Sequence, residues 1–368
     1  MQLFGAVLLA KMYGASLVEP EWADWDWDAS QPQSHGPFET LYDFSHFSTT
    51  INNVFNVNVI SRNAMSALTK ERRVTGNSIL SRDHHQCWDV WLSYQRRALK
   101  SNILDDFLLR FLSSFKLTET NQRLVDIVLD TISLHSSGNS WNAIHMRTEK
   151  DWFKHSQYMK SRINLTEEEA AYVSPMVIRD KFYSTFGLGF SRDQPHFLFI
   201  ACDEKAQQEN PFDLWRPDTR LFHKKDFLEL RGCDNKTKSA VDFEICVESP
   251  TLVGTSRSSF LRLATLTRFA KTQNRTIGGV NESQTERLGR PTYIYNRRSS
   301  QLVKRIDNGL YNAAADCFRK KPVLAKLNLE AIVKDLFWHV RWKALIHRCK
   351  GLIKRGVRKS GVMRKSRY

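Results

Sequence analysis

The residues best able to do chemistry lie at the end of one short apolar run. Trp141-Asn142-Ala143-Ile144-His145-Met146-Arg147 reads as a strand, followed by the polar turn Thr148-Glu149-Lys150-Asp151 and a helix start at Trp152. The two-residue period of a strand puts His145 and Arg147 on one face. Open α/β sheets bind ligands beyond their strand ends. A guanidinium placed there clamps anionic oxygens through paired donors and stays charged at any working pH, as holding a leaving diphosphate requires. A single His-x-Arg is a short signal, and surface salt bridges account for most such triplets.

A second constellation points the same way. Residues 239–260 read as a helix (239–248), a very short strand (251–253), a small-residue turn through Gly254-Thr255-Ser256-Arg257, and a second helix from about Ser258 to Lys271. Gly254 is expected to let the backbone approach a ligand closely. Ser258 and Ser259 fall at the expected helix N-terminus, where hydroxyls and free N–H groups form a phosphate seat. A capped helix without a ligand explains Ser258 alone, but less well the whole combination.

With Phe197-Leu198-Phe199-Ile200-Ala201-Cys202-Asp203-Glu204 between them, these segments, including Asp242, resemble the GDP-fucose protein O-fucosyltransferase superfamily in order and spacing. The resemblance implies an α/β fold of two Rossmann-like domains facing a cleft, a GT-B-like glycosyltransferase. It implies a fucosyltransferase that moves fucose from GDP-fucose to a protein Ser/Thr or a glycan, with inversion and without metal or cofactor. On that basis Arg147 is the catalytic cation, and His145, Arg147, Asp242, Ser258, Ser259 and the Phe260 amide bind the nucleotide. Asp242 would accept hydrogen bonds from guanine or ribose. His145 would orient Arg147 or touch the nucleotide, unless it is a satisfied strand histidine. Asp203 either lines the cleft or caps a helix over 204–208, and Glu149 and Asp151 either position Arg147 or cap the helix at Trp152. Two other readings stand beside this one: a non-catalytic nucleotide-sugar-binding relative, and an interaction protein driven by a basic tail.

The family's Gly-rich loop, which in some members carries an acidic base, precedes the helix that matches Met1–Met12. That loop has no counterpart here, so no general base is assigned, and Glu19 and Glu21 read as solvated loop residues. Three tryptophans interleave with acids in Trp22-Ala23-Asp24-Trp25-Asp26-Trp27-Asp28. Such a segment serves as a sugar- or peptide-binding loop or, more commonly, as a lid packed on its own domain.

The elements that must position these groups divide into two α/β halves and a tail. The first, 1–137, has strands at Leu17–Val18 and Val57–Ile60 and helices near 88–99, 104–115 and 120–133, and is expected on the acceptor side. After the polar hinge at 136–140, residues 138–300 form the nucleotide-sugar half. Its strands are expected near 142–147, 196–201, 219–222, 251–253 and 292–295, and its helices near 151–160, 166–186, 239–248 and 258–271. Alternating strands and helices imply parallel sheets. A chain of 368 residues suits two such cores.

The net charge of +16 is concentrated at the end of the chain. Residues 301–368 hold eighteen Lys/Arg against four Asp/Glu, whereas the remainder is nearly balanced. A body that gripped nucleic acid would itself be basic, so no nucleic-acid partner is expected. Residues 336–368 carry eleven bases and no acid among interspersed apolar residues. That pattern fits a basic amphipathic helix on a membrane surface or acidic partner, or an unstructured tail. No run approaches the roughly 20 apolar residues of a membrane span. Met1–Ala10 lacks the basic start of a signal peptide. The resemblance implies the lumen of the endoplasmic reticulum or Golgi, and sequons at Asn164, Asn235, Asn274 and Asn281 are compatible with it. Of six cysteines, Cys202 and Cys246 are expected as buried thiols. His84-His85-Gln86-Cys87 lacks a second cluster at zinc spacing and reads as a loop before the helix at 88–99.

Overall fold

The computed structural model describes residues 2–24, 34–66, 103–149, 152–154, 156–157, 170, 172–187, 196–203, 215, 219–277, 290–305 and 323–325. The chain divides into two units, one of Met1–Pro20, Ser48–Phe111 and Leu324–Tyr368, the other of Glu21–Phe47 and Leu112–Val323. The expected helix over 88–99, the His84–Cys87 loop, residues 25–28 of the tryptophan-rich segment and the basic stretch 336–368 lie outside the described residues. Among the described residues, no helix is long and apolar enough to cross a membrane.

In the first unit, the apolar start of the chain forms the helix Gln2–Tyr13. It closes where Gly14 takes a left-handed φ of 60°, a conformation that costs glycine least. Leu17–Val18 then pairs in parallel with Val59–Ile60. Phe4 is fully buried, with the rings of Phe55 and Phe111 meeting it edge-on. Glu19 departs from the expected solvated loop residue. It is 6% exposed, its N–H bonds Ile60 O, and its Oε2 accepts from Arg62 N at the head of the short helix Arg62–Ser66. Pairing with the second strand carries this carboxylate inward. Glu21 is exposed, as expected.

The second unit is built on one six-stranded sheet. Its strands in chain order are β1 (Trp141–His145), β2 (His196–Ala201), β3 (Thr219–Phe222), β4 (Thr251–Gly254), β5 (Thr292–Ile294) and β6 (Val303–Arg305). Their spatial order is β6-β5-β4-β1-β2-β3. Every neighbouring pair is parallel except β5 and β6. Among the described residues, four helices flank it: α1 (Glu119–Ser136), α2 (Pro175–Phe186), α3 (Asn235–Glu248) and α4 (Ser259–Ile277). The α/β class and the parallel sheet are as the alternating pattern predicts, and every strand expected in this half is present. The helix expected from 166 begins only at Pro175, whose fixed φ suits a first helical position. Helix α1, expected with the N-terminal half, packs instead in the second unit beside α3.

Alternate strand residues face opposite cores. Ala143, Phe197, Phe199 and Leu252 pack with Val125, Val128 and Ile132 of α1, Val241 and Ile245 of α3, and Leu261 of α4. Ile144, Leu198, Ile200 and Val253 pack with Ile178 and Phe182 of α2. Both faces are thus covered, which explains why β2 (His-Phe-Leu-Phe-Ile-Ala) is apolar throughout its centre rather than alternating. Each fully buried Leu, Ile or Phe contributes roughly 1.5–3 kcal/mol.

One buried cation ties helix to strands. Arg268 of α4 is 3% exposed, and its Nη1 donates to the carbonyls of Cys246, Val247 and Ser249 and to Ser249 Oγ. Its Nη2 donates to the carbonyls of Pro250 and Pro291, which precede β4 and β5. The last carbonyls of α3 have no partner within their own helix, and a positive charge suits that end of the dipole. Burial, with Arg290 nearby, lowers the Arg268 pKa to about 10, so the group stays charged at neutral pH. Replacing Arg268 by Met leaves these acceptors without their donor. The unfolding free energy in urea is expected to fall by more than about 2 kcal/mol.

Candidate functional site

Strands β1 and β4 lie side by side, with Ile144 opposite Val253. From this pair the sheet grows outward in two directions, through β2 and β3 on one side and β5 and β6 on the other. The strand order therefore reverses between β1 and β4, and open parallel sheets bind ligands at the carboxyl ends of that pair. The two segments singled out by sequence, 145–149 and 254–260, emerge from these two ends.

Arg147 follows the end of β1. Its backbone N–H donates to Tyr295 Oη at 3.2 Å. Its guanidinium lies 5.0 Å from the centre of the Trp152 ring, and its Nε is 3.5 Å from Glu149 Oε2. An aromatic face and a carboxylate thus hold the cation from two sides, while 27% of the side chain remains exposed. Glu149 lies beside the guanidinium, and its carbonyl also accepts from Phe153 N, so both suggested placements, next to Arg147 and at the helix start, hold. Trp152, which sequence offered only as the start of a helix, contributes a second contact.

His145 is buried, and its ring stacks on Phe260 of α4 at 4.2 Å and 7°. Phe243 of α3 meets Phe260 edge-on at 5.4 Å. Burial, reinforced by the Arg147 and Lys224 charges, lowers the His145 pKa to about 3, so the imidazole is neutral. Its Nδ1 is buried without a hydrogen-bond partner, so a fully satisfied strand histidine does not describe it.

The small-residue turn after β4 combines capping with close packing. Ser258 Oγ accepts from Leu261 N, which makes Ser258 the cap of α4. Ser259, the first helical residue, is exposed, and Phe260 faces His145. Gly254 has a role other than the expected approach to a ligand. A Cβ at that position would lie 2.7 Å from Leu261 Cδ1, so the missing side chain makes room for α4 against the sheet. Ser256 N donates to Asn296 Oδ1, and Asn296 Nδ2 donates back to Ser256 Oγ, each at 3.0 Å.

Asp242 sits on α3 with 4% exposure, and Lys224 Nζ donates to its Oδ2 at 2.9 Å. Burial disfavours the Lys224 charge, but the Asp242 carboxylate outweighs it and raises the lysine pKa. As a carboxylate, Asp242 accepts hydrogen bonds and donates none. Lys224 was not read from sequence; its one signal is a charged triplet, Lys224-Lys225-Asp226, one residue beyond the end of β3. Asp203 follows β2 and is exposed, while residues 204–208, where it would cap a helix, lie outside the described residues. Next to it, Cys202 Sγ lies 3.5 Å from His223 Nε2. This contact is not an activated thiol. His223 Nδ1 accepts from Lys225 N, so the proton of the neutral ring is on Nε2 and points at sulfur. Burial and the Asp242 charge raise the thiol pKa well above its ordinary range. Cys202 and Cys246 are both free and buried, as expected. Among the described residues, no three His, Cys, Asp or Glu side chains gather as a metal site would require.

No family model matches the chain. Among curated proteins it is similar to O-fucosyltransferase 23 of Arabidopsis thaliana, with 28% identity over 163 residues. Over that stretch the chain resembles an O-fucosyltransferase. The match covers 42% of this chain and 35% of that protein, so it spans well under two thirds of the relative's length. Among solved structures, POFUT1 in complex with GDP-fucose aligns with a TM-score of 0.43 and 12% identity, covering 73% of this chain and 89% of that one. The fucosyltransferase NodZ from Bradyrhizobium aligns with a TM-score of 0.38 and 16% identity, over 72% and 86% of the two chains.

The buried neutral histidine has a measurable consequence. An unfolded histidine titrates near 6.5, whereas folded His145 titrates at about 3. Between these values the unfolded chain binds the extra proton. Stability from this group is therefore complete above about pH 6.5 and falls as pH drops towards 3, by up to about 1.4 kcal/mol per unit. Urea unfolding of His145→Gln at stepped pH is expected to show a shallower acid slope than the parent.

Proposed function

We propose that this chain is a fucosyltransferase that uses GDP-fucose as donor and transfers fucose to a protein Ser/Thr or a glycan, with inversion and without a metal. The observation that carries the reading is the placement of Arg147 and the Ser256–Ser259 turn at the ends of two adjacent strands where the strand order reverses. The similarity to O-fucosyltransferase 23 supports the donor class.

In this reading the diphosphate lies between the Arg147 guanidinium and the N-terminus of α4. Ser258, Ser259 and the Phe260 amide face its oxygens. Asp242, paired with Lys224, accepts hydrogen bonds from the guanine or ribose. The neutral ring of His145, stacked on Phe260, offers a nitrogen to the nucleotide without adding charge. The acceptor hydroxyl attacks the anomeric carbon from the face opposite the diphosphate and releases its proton to water. The bond to the β-phosphate oxygen breaks with its electron pair on that oxygen, and Arg147 stabilises the charge as it develops. A fixed guanidinium supplies here the positive charge that a divalent cation supplies in other nucleotide-sugar enzymes. The reading also places the chain in the lumen of the endoplasmic reticulum or Golgi. The exposed Asn235 at the start of α3, within Asn-Lys-Thr, is available to carry a glycan there.

A thermal-shift comparison of GDP, UDP, ADP and CMP tests the donor class, because a ligand that binds only the folded state raises the melting temperature. GDP alone is expected to stabilise the protein; a response to UDP alone would redirect the assignment. Arg147→Ala is expected to lower transfer from GDP-fucose by at least about a hundredfold while the melting temperature stays near the parent's. Excess EDTA is expected to leave the parent's turnover unchanged.

A further inference from the structure

Two residues that no motif singled out connect both parts of the site. β5 ends at Ile294, opposite Gly254, and the chain continues as Tyr295-Asn296-Arg297. Tyr295 N donates to Gly254 O at 3.0 Å, extending the ladder by one step. Its fully buried ring carries the hydroxyl across to β1, where Oη accepts the N–H of Arg147. The next residue, Asn296, is 1% exposed and forms a two-way amide bond with Ser256, in the turn that leads to Ser258. The Asn296 carbonyl also accepts from Ala170 N at 2.8 Å. From the α2 side, Lys181 Nζ donates to the carbonyls of Tyr295 and Arg297 at 2.9 and 2.5 Å. The dipeptide is thus fixed by its own backbone, and its two side chains reach the two segments that the functional reading requires to act together.

We propose that Tyr295 and Asn296 are positioning residues that hold the Arg147 segment and the Ser256–Ser259 turn in register, and so set the spacing of the diphosphate seat. This rests on the GDP-fucose reading above and extends it to residues that touch no substrate. The physical reason is geometric. Arg147 and Ser258 lie 111 positions apart in the chain, and each follows the end of its own strand, where the ladder no longer fixes the backbone. A paired donor set loses its grip when one member shifts by a fraction of an ångström. A phenol and a carboxamide, both buried, are stiff and leave little freedom to drift.

The test measures the affinity of GDP and of GMP by calorimetry for the parent, Tyr295→Phe and Asn296→Ala. GMP carries the same base and ribose but lacks the β-phosphate. Tyr295→Phe removes one oxygen and keeps the ring, so it isolates the hydrogen bond to Arg147. Asn296→Asp keeps the shape should Asn296→Ala fail to fold. In the parent, GDP is expected to bind more tightly than GMP. In the folded variants, GDP affinity is expected to fall about tenfold, the scale of one lost hydrogen bond, with GMP affinity unchanged. A parent that prefers GDP, with folded variants that keep the preference or lose both ligands equally, overturns the positioning role and leaves the fucosyltransferase reading standing. A parent that binds neither nucleotide, or both equally, overturns that reading and this inference with it.

Discussion

Crossovers between parallel strands are right-handed almost without exception. In the second unit, strands that extend the sheet through β2 and β3 therefore place their connecting helix on one face, and those beyond β4 place theirs on the other. Helix α2, between β1 and β2, packs against Ile144 and Leu198. Helices α3 and α4, on either side of β4, pack against Ala143 and Leu252. The two winding directions meet between β1 and β4, where the connections lead away from each other. The remainder of the site depends on that divergence. It brings the segment that follows β1, with Arg147, next in the sheet to the segment that follows β4, with Ser258 and Ser259.

Charge in this region is handled by pairing rather than by exposure. Lys224 and Asp242 are both buried and are compatible with burial only because they are 2.9 Å apart. Arg147 is held by Glu149 and Trp152, yet enough of it reaches solvent to meet a ligand. His145 avoids charge altogether. The result is a partly exposed cation after a strand end and, on α3 of the same unit, a buried carboxylate paired with a lysine. That arrangement suits a ligand with an anionic part and a part rich in hydrogen-bond donors, as a nucleoside diphosphate is. Away from the site, Arg268 is buried against carbonyls instead of a carboxylate, a structural use of the same residue type.

Much of this was legible before any fold was known, and for local reasons. The strand at 141–145 is an apolar run of strand length that ends in polar residues. The cap at Ser258 sits where a hydroxyl precedes a helical pattern. Cys202 and Cys246 fall among apolar neighbours, and both are buried. Where the reading missed, the deciding contact came from far along the chain. Glu19 resembles a loop carboxylate until Ile60 and Arg62 close around it. Gly254 resembles a ligand-facing glycine until Leu261 occupies the space. Pro175 sets the start of α2, which the apolar pattern alone placed nine residues too early.

The chain by itself determined which segments become strands and helices in the second unit, because hydrophobic period, caps and prolines act within a few residues of one another. It also determined which side chains carry usable chemistry, since a guanidinium, a carboxylate and a pair of hydroxyls have the same donors and acceptors in any fold. Only the tertiary structure decided their partners: Lys224 for Asp242, Phe260 for His145, and Tyr295 with Asn296 for the two halves of the site. Those pairings join residues 18 to 148 positions apart. They follow from the order in which strands assemble, and no local pattern of residues encodes that order.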